Sequence, residues 1–176
     1  MRFLKKRKTV NENFHPDIFS TLFSSCFYIG FIPKASGTFG SIFGLIFFLF
    51  GGFYRPEILV PVIILCFAAG IFASGNMMKR YGDDPSEVIV DEVIGMWITV
   101  LVFFILSGDN SALTALQAAV LFLTFRFFDI FKIQPAKYFD KLETAFGVMM
   151  DDVIAGIYAG AASYLALKLI KSIFQI

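Results

Sequence analysis

Carboxylates are the chemistry-bearing residues of this chain, and they are unevenly placed. Of 14 acidic residues, Asp83, Asp84, Glu87, Asp91 and Glu92 fall in one stretch, and Asp129, Asp140, Glu143, Asp151 and Asp152 in another. Asp91-Glu92 opens an apolar run, Asp151-Asp152 lies at the start of a second, and Asp129 sits near the end of a third, in FRFFDIFK. A single acid at a helix N-terminus is explained by the helix dipole, worth about 0.3–1 kcal/mol. Two adjacent pairs, plus an acid near a helix C-terminus, are not. Arg126 and Lys132 flank Asp129 at i−3 and i+3, so ion pairing along one helix face is an alternative use for it. Clustered carboxylates otherwise suit a hard divalent cation. Magnesium takes oxygen ligands and is typically held by a few carboxylates together with substrate phosphates.

A second segment offers the opposite chemistry. Pro33-Lys34-Ala35-Ser36-Gly37-Thr38-Phe39-Gly40-Ser41 reads as a glycine-rich loop ahead of a helix, with backbone N–H groups, the hydroxyls of Thr38 and Ser41, and the Lys34 ammonium. Such a loop at a helix N-terminus is a ready anion site, although the same residues also read as an ordinary capped turn. Other chemistries lack their residues. The one histidine, His15, lies in the polar N-terminal segment, so no Ser/His/Asp or Cys/His arrangement can be assembled. Walker A and GxGxxG patterns are absent. Cys26 and Cys66 lie in apolar runs without CxxC spacing and read as small apolar residues.

The elements that must carry these groups are membrane helices. The 176 residues are 57% hydrophobic and 16% charged, against roughly 45–50% and 25% in soluble domains. Mean hydropathy is +0.75. A net charge of +1 excludes the basic excess of a nucleic-acid binder. The pattern predicts an all-α, polytopic membrane protein with about five spans, near 40–54, 58–78, 93–106, 112–131 and 147–169. Residues 18–32 are apolar but too few for a span of roughly 20 residues, and read as a short interfacial or re-entrant helix. The division is a basic N-terminal segment, 1–17, and one helical membrane domain, 18–176. Arg2, Lys5, Lys6, Arg7, Lys8, Lys79, Arg80, Lys132, Lys137 and Lys141 fall on one side, which the positive-inside rule assigns to the cytoplasm. The segments 33–41, 79–92 and 129–147 share that side, so the acids and the candidate anion loop face one another. Asp152, Gly156 and Gly160, like Asp151, Ala155 and Ala159, repeat every four residues, a small-residue stripe for close helix packing.

Together PKASGTFGS (33–41), DEVIGMWIT (91–99), FRFFDIFK (125–132) and FGVMMDDVIAGIYAG (146–160) resemble the phosphatidylglycerophosphatase A family. The motifs run in the family's order over most of the chain. The resemblance implies a bacterial membrane enzyme that uses Mg²⁺ to remove the terminal phosphate of phosphatidylglycerophosphate, with Asp91, Glu92, Asp129, Asp151 and Asp152 in the metal and catalytic centre. The chain departs from the family's pattern at Ile133-Gln134-Pro135, where Pro-x-Pro is usual, at Ser36 and in the 143–147 approach to the last motif. No departure removes a carboxylate.

The sequence therefore predicts an inner-membrane phosphomonoesterase acting on a phospholipid at the cytoplasmic face. The five acids would hold Mg²⁺ and activate water, with Lys34, Thr38, Ser41, Arg126 and Lys132 binding the phosphate. A small transporter or channel using the carboxylates as a cation or proton site is the competing class. Its mark, ionisable residues deep within several helices, is missing from 58–78 and 93–106. A CDP-alcohol phosphotransferase would need a DGxxAR pattern that the chain lacks.

Overall fold

A computed structural model describes residues 10–49, 55–108 and 112–174. Among them are seven α-helices and no strand: α1 (Ile18–Ser24), α2 (Ser36–Ile46), α3 (Pro56–Tyr81), α4 (Val90–Ser107), α5 (Ala115–Phe131), α6 (Ala136–Asp140) and α7 (Ala145–Phe174). Local signals set several ends. Pro56 occupies the first turn of α3, where its missing N–H is harmless, and Gly82 (φ 85°) stops it. Thr114 and Gln117 form a reciprocal capping box at α5. Gly108, left-handed at φ 67°, ends α4.

Three of the five expected spans, α3, α4 and α7, are long and apolar enough to cross a bilayer on their own. With 17 residues, α5 covers about 25 Å at 1.5 Å per residue. The expected span at 40–54 differs more. Its helix already begins at Ser36 and ends at Ile46, followed by a 3-10 turn at Phe47–Leu49. Eleven residues cover about 16 Å, roughly half of the 30 Å hydrocarbon core. Residues 50–54, with Gly51 and Gly52, and the basic residues Arg2 to Lys8 lie outside the described residues.

The apolar run 18–32 is broken as expected of a non-spanning segment. α1 has seven residues, Cys26, Phe27 and Tyr28 are all left-handed (φ 46°, 58° and 68°), and a 3-10 turn follows at Ile29–Phe31. Left-handed L-residues cost about 1–2 kcal/mol each, so the turn must be held. Phe27 N–H donates to Leu22 O (2.8 Å), Tyr28 N–H to Ser25 Oγ (2.9 Å) and Gly30 N–H to Ser25 O (2.9 Å). α1 is tied to α3 because Asn76 Nδ2 donates to Asp17 Oδ2 and to Ser20 Oγ, both at 3.1 Å. The polar segment before it packs on the end of α3, where Asn11 N–H donates to Arg80 O at 2.8 Å.

α4 is the central element, in contact with α2, α3, α5 and α7. Beyond its first turn it is apolar around nearly its whole circumference, and Val93, Ile94, Met96, Val100 and Phe103 are buried. The outer helices invert the soluble pattern. Leu65 and Phe72 of α3, Leu123 and Phe131 of α5, and Leu165 and Leu169 of α7 are all exposed. Large apolar side chains displayed over so many helices require lipid around the molecule. The chain is a helical membrane protein.

Candidate active site

The site forms where helix ends converge. α4 begins at Val90, with Ile89 N–H held by Ser24 O at 2.8 Å, so Asp91 and Glu92 occupy its first turn. That turn's free N–H groups and dipole favour acids. α7 crosses α4 at paired glycines. A Cβ at Gly156 would strike the Gly95 carbonyl oxygen, and one at Gly95 would lie 2.9 Å from Asp152 O and 2.7 Å from the Phe125 ring. This close approach sets Asp152 beside the start of α4. One oxygen from each of Asp91, Glu92 and Asp152 then lies within 4.8 Å of the others.

α2 closes the site from another side. Gly37 passes so near that a Cβ there would strike Glu92 Oε1 and come within 3.1 Å of Arg126 Nη1. The glycine-rich motif thus meets the carboxylates, as its expected sidedness requires, but as helix and not as loop. Ala35, left-handed at φ 56°, precedes the first turn, and Thr38 and Ser41 are helical. Ser41 Oγ–H donates back to Gly37 O (2.8 Å) and accepts from Arg126 Nη1 (3.4 Å). Thr38 is half-buried on this helix, and Lys34 is exposed just ahead of it.

The remaining acids and bases form two ion-pair groups. Arg126 Nη1 meets Asp129 Oδ2 at 2.7 Å, the i,i+3 pair anticipated from spacing. Lys132, left-handed at the end of α5, turns away from Asp129 to bridge Asp140 Oδ1 (2.8 Å) and Asp151 Oδ2. Burial alone would lower the Lys132 ammonium. The charges of Asp151 and Asp152, with the bonds to Asp140 and Asp151, outweigh burial and hold it well above the ordinary lysine range. Asp151 Oδ1 in turn accepts the backbone N–H of Asp152 at 3.0 Å. Asp140, on α6, is a participant that the motifs do not single out. It was visible only as one acid among ten on that face, because no spacing links it to Lys132.

Of the five acids expected in the centre, the structure therefore gathers Asp91, Glu92 and Asp152. It sets Asp129 against Arg126 and Asp151 against Lys132. Asp91, Asp151 and Asp152 are 7%, 4% and 3% exposed, a degree of burial that carboxylates rarely show without compensation. Asp91 Oδ1 is buried and accepts no hydrogen bond. Hard oxygen donors at this separation, one of them without a proton donor, fit a divalent cation such as Mg²⁺.

Comparison with known proteins covers the stretch that holds these residues. A family model described as phosphatidylglycerophosphatase A matches residues 22–167. A Bacteroides thetaiotaomicron protein with the provisional name phosphatidylinositol-3-phosphatase is 34% identical over 149 residues, 82% of this chain and 91% of its own. Proteins named phosphatidylglycerophosphatase A from Haemophilus influenzae and Escherichia coli are 35% and 29% identical, covering 74% and 77% of this chain and 77% and 76% of their own. No solved structure gives a significant match.

Proposed function

The chain belongs to the phosphatidylglycerophosphatase A family, and from that premise we propose that it is a Mg²⁺-dependent enzyme that hydrolyses the terminal phosphate monoester of phosphatidylglycerophosphate. The observation that carries this reading is the meeting of Asp91, Glu92 and Asp152 within 4.8 Å, with Arg126 beside them over the N-terminus of α2. Hydrolysis forms a bond from water oxygen to phosphorus, breaks the ester P–O bond, and returns a proton to the departing lipid alcohol.

Asp91, Glu92 and Asp152 would hold the Mg²⁺, which when bound neutralises phosphate charge and lowers the pKa of bound water. A carboxylate of the same trio accepts the proton of the attacking water. Arg126, presented by Asp129 and Ser41, offers its planar guanidinium to the phosphate oxygens. Lys34 and Thr38, at the start of α2, add charge and a hydroxyl donor to the same anion site. Lys132 fixes Asp151 and, through the Asp152 N–H, the backbone that aims the Asp152 carboxylate. The reaction belongs to the cytoplasmic face of the bacterial inner membrane, the side where the basic residues lie.

Phosphate release from detergent-solubilised protein tests this directly. Phosphatidylglycerophosphate, phosphatidylinositol 3-phosphate and phosphatidic acid are compared, each with Mg²⁺ or EDTA. The expected result is Mg²⁺-dependent release favouring phosphatidylglycerophosphate. Asp152→Asn should lower it by more than about a hundredfold, beyond the 10–100-fold typical of groups that only support a metal ligand. Faster release from phosphatidylinositol 3-phosphate would reassign the substrate. Folded protein that releases nothing from any of the lipids would overturn the reading.

A further inference from the structure

Beside the carboxylates lies a second feature that catalysis by headgroup chemistry alone does not use. An apolar groove of about 350 Å³ opens between α1, α2, α3 and α4, within the range of about 300–1,000 Å³ of small-molecule sites. Its floor is α4, through Val90, Val93, Ile94 and Trp97. Phe23 of α1 and Phe43 of α2 line it, as do both cysteines of the chain, Cys26 and Cys66. Every lining side chain is apolar or a thiol.

The groove starts at the level of the site, on another side of α4, where Val90, Val93, Ile94 and Trp97 recur at i, i+3, i+4 and i+7. Val90 and Val93 immediately flank Asp91 and Glu92 on α4, so its upper end is level with the carboxylates. From Val90 to Trp97 it descends about 10 Å along the helix axis. The T-shaped Phe47–Trp97 pair, with ring centroids 5.3 Å apart, closes the lower end. The mouth is open to lipid at Phe19 and Phe27, which are 50% and 73% exposed. The left-handed run at Cys26–Tyr28 shapes this wall, and such strained segments concentrate where a ligand is held.

We propose that this groove receives one acyl chain of the phospholipid whose phosphate occupies the carboxylate site. The occupant rests on the phosphatase reading, because a glycerol–phosphate–glycerol spacer joins the terminal phosphate of that lipid to its acyl esters, so a headgroup held at Asp91 and Glu92 can reach around α4 and hand its hydrocarbon to the groove. Anchoring one chain there fixes the headgroup's depth and separates a membrane lipid from a soluble phosphomonoester.

The full chain in nanodiscs provides the test. The phosphonate analogue of phosphatidylglycerophosphate, in which carbon replaces the scissile ester oxygen so that the lipid persists, bears a diazirine in one acyl chain and is irradiated with Mg²⁺ present, and cross-links are mapped by mass spectrometry. Diazirine-labelled phosphatidylcholine reports bulk lipid. Enrichment of the first probe over the second within 19–27 and 90–97 is the expected result. Identical maps for the two lipids would overturn the proposal. Cys66→Trp, which fills the groove, should reduce the preference for long-chain over dihexanoyl substrate by about tenfold, the loss expected when roughly two methylenes lose their cover. An unchanged preference would also overturn it. If the wild-type protein cleaved no lipid, the phosphatase reading would fail, while the contrast between the two maps would still decide the groove's occupant.

Discussion

Lys132 shows how much depends on one side chain at this site. It is the shared counter-charge of Asp140 and Asp151, and the side chain of Asp151 is 6% exposed. Lys132→Gln should destabilise the protein by about 2 kcal/mol, less than the 3–5 kcal/mol of breaking a fully buried pair, because the lysine side chain keeps 26% of its surface in solvent. Adding Asp151→Asn in the same chain should restore at least half of that loss, measured by thermal unfolding in detergent as a double-mutant cycle. Additive losses would show that the two residues are not coupled. Residue types were the most legible layer of the sequence. The acids and the glycine-rich motif were identifiable by composition and spacing, and Arg126 with Asp129 by the i,i+3 rule. The direction Lys132 takes was not legible, because it depends on the left-handed backbone at the end of α5 and on α6, which carries no motif.

Helix crossings decide whether those residues meet. The stripe Asp152, Gly156, Gly160 was readable as a packing face, and it packs on α4, where a Cβ at Gly160 would lie 2.7 Å from Thr99 O. Gly156→Ala adds one carbon against the Gly95 carbonyl, a backbone atom that cannot swing aside. The cost should be about 1–3 kcal/mol, with activity falling as Asp152 is pushed from Asp91. Gly75→Ala is the control. Its new carbon would meet only Ala145 Cβ, at 3.6 Å, and it should stabilise α3 by up to about 1 kcal/mol through helix propensity. Thermal unfolding of the pair separates steric conflict from loss of glycine as such. The long helices α3, α4 and α7 were legible from apolar run length. The start of α2 was not, since glycine, serine and threonine disfavour helix locally and only burial against α4 and α5 overrides them. The break at Cys26–Tyr28 carries no glycine or proline to announce it.

At the scale of the whole molecule, the helices alternate in direction, so the start of α4, the end of α5 and the start of α7 share one face with the glycine-rich motif at the start of α2. Met149, near the start of α7, accepts from Ser74 Oγ of α3 at 3.8 Å, which brings the end of α3 to that face as well. Sidedness is therefore a single choice for the site as a unit. In a chain with Cys26 and Cys66 replaced by serine, Lys141→Cys should react with an impermeant maleimide only after spheroplasts are permeabilised, and Ala112→Cys should react from outside. The reverse pattern would put the site on the outer face.

Trp97 adds an optical property to this architecture. It is the chain's one tryptophan, 6% exposed, with its Nε1–H donating to the Gly44 carbonyl at 3.1 Å. Its emission comes from a single position, at the closed end of the apolar groove. Phosphatidylglycerophosphate with a brominated chain should quench it saturably, and brominated phosphatidylcholine at the same mole fraction should quench it less. Equal quenching by both would mean that the indole senses only bulk lipid. The fold thus carries an intrinsic fluorescent gauge of hydrocarbon occupancy, readable without labelling the protein.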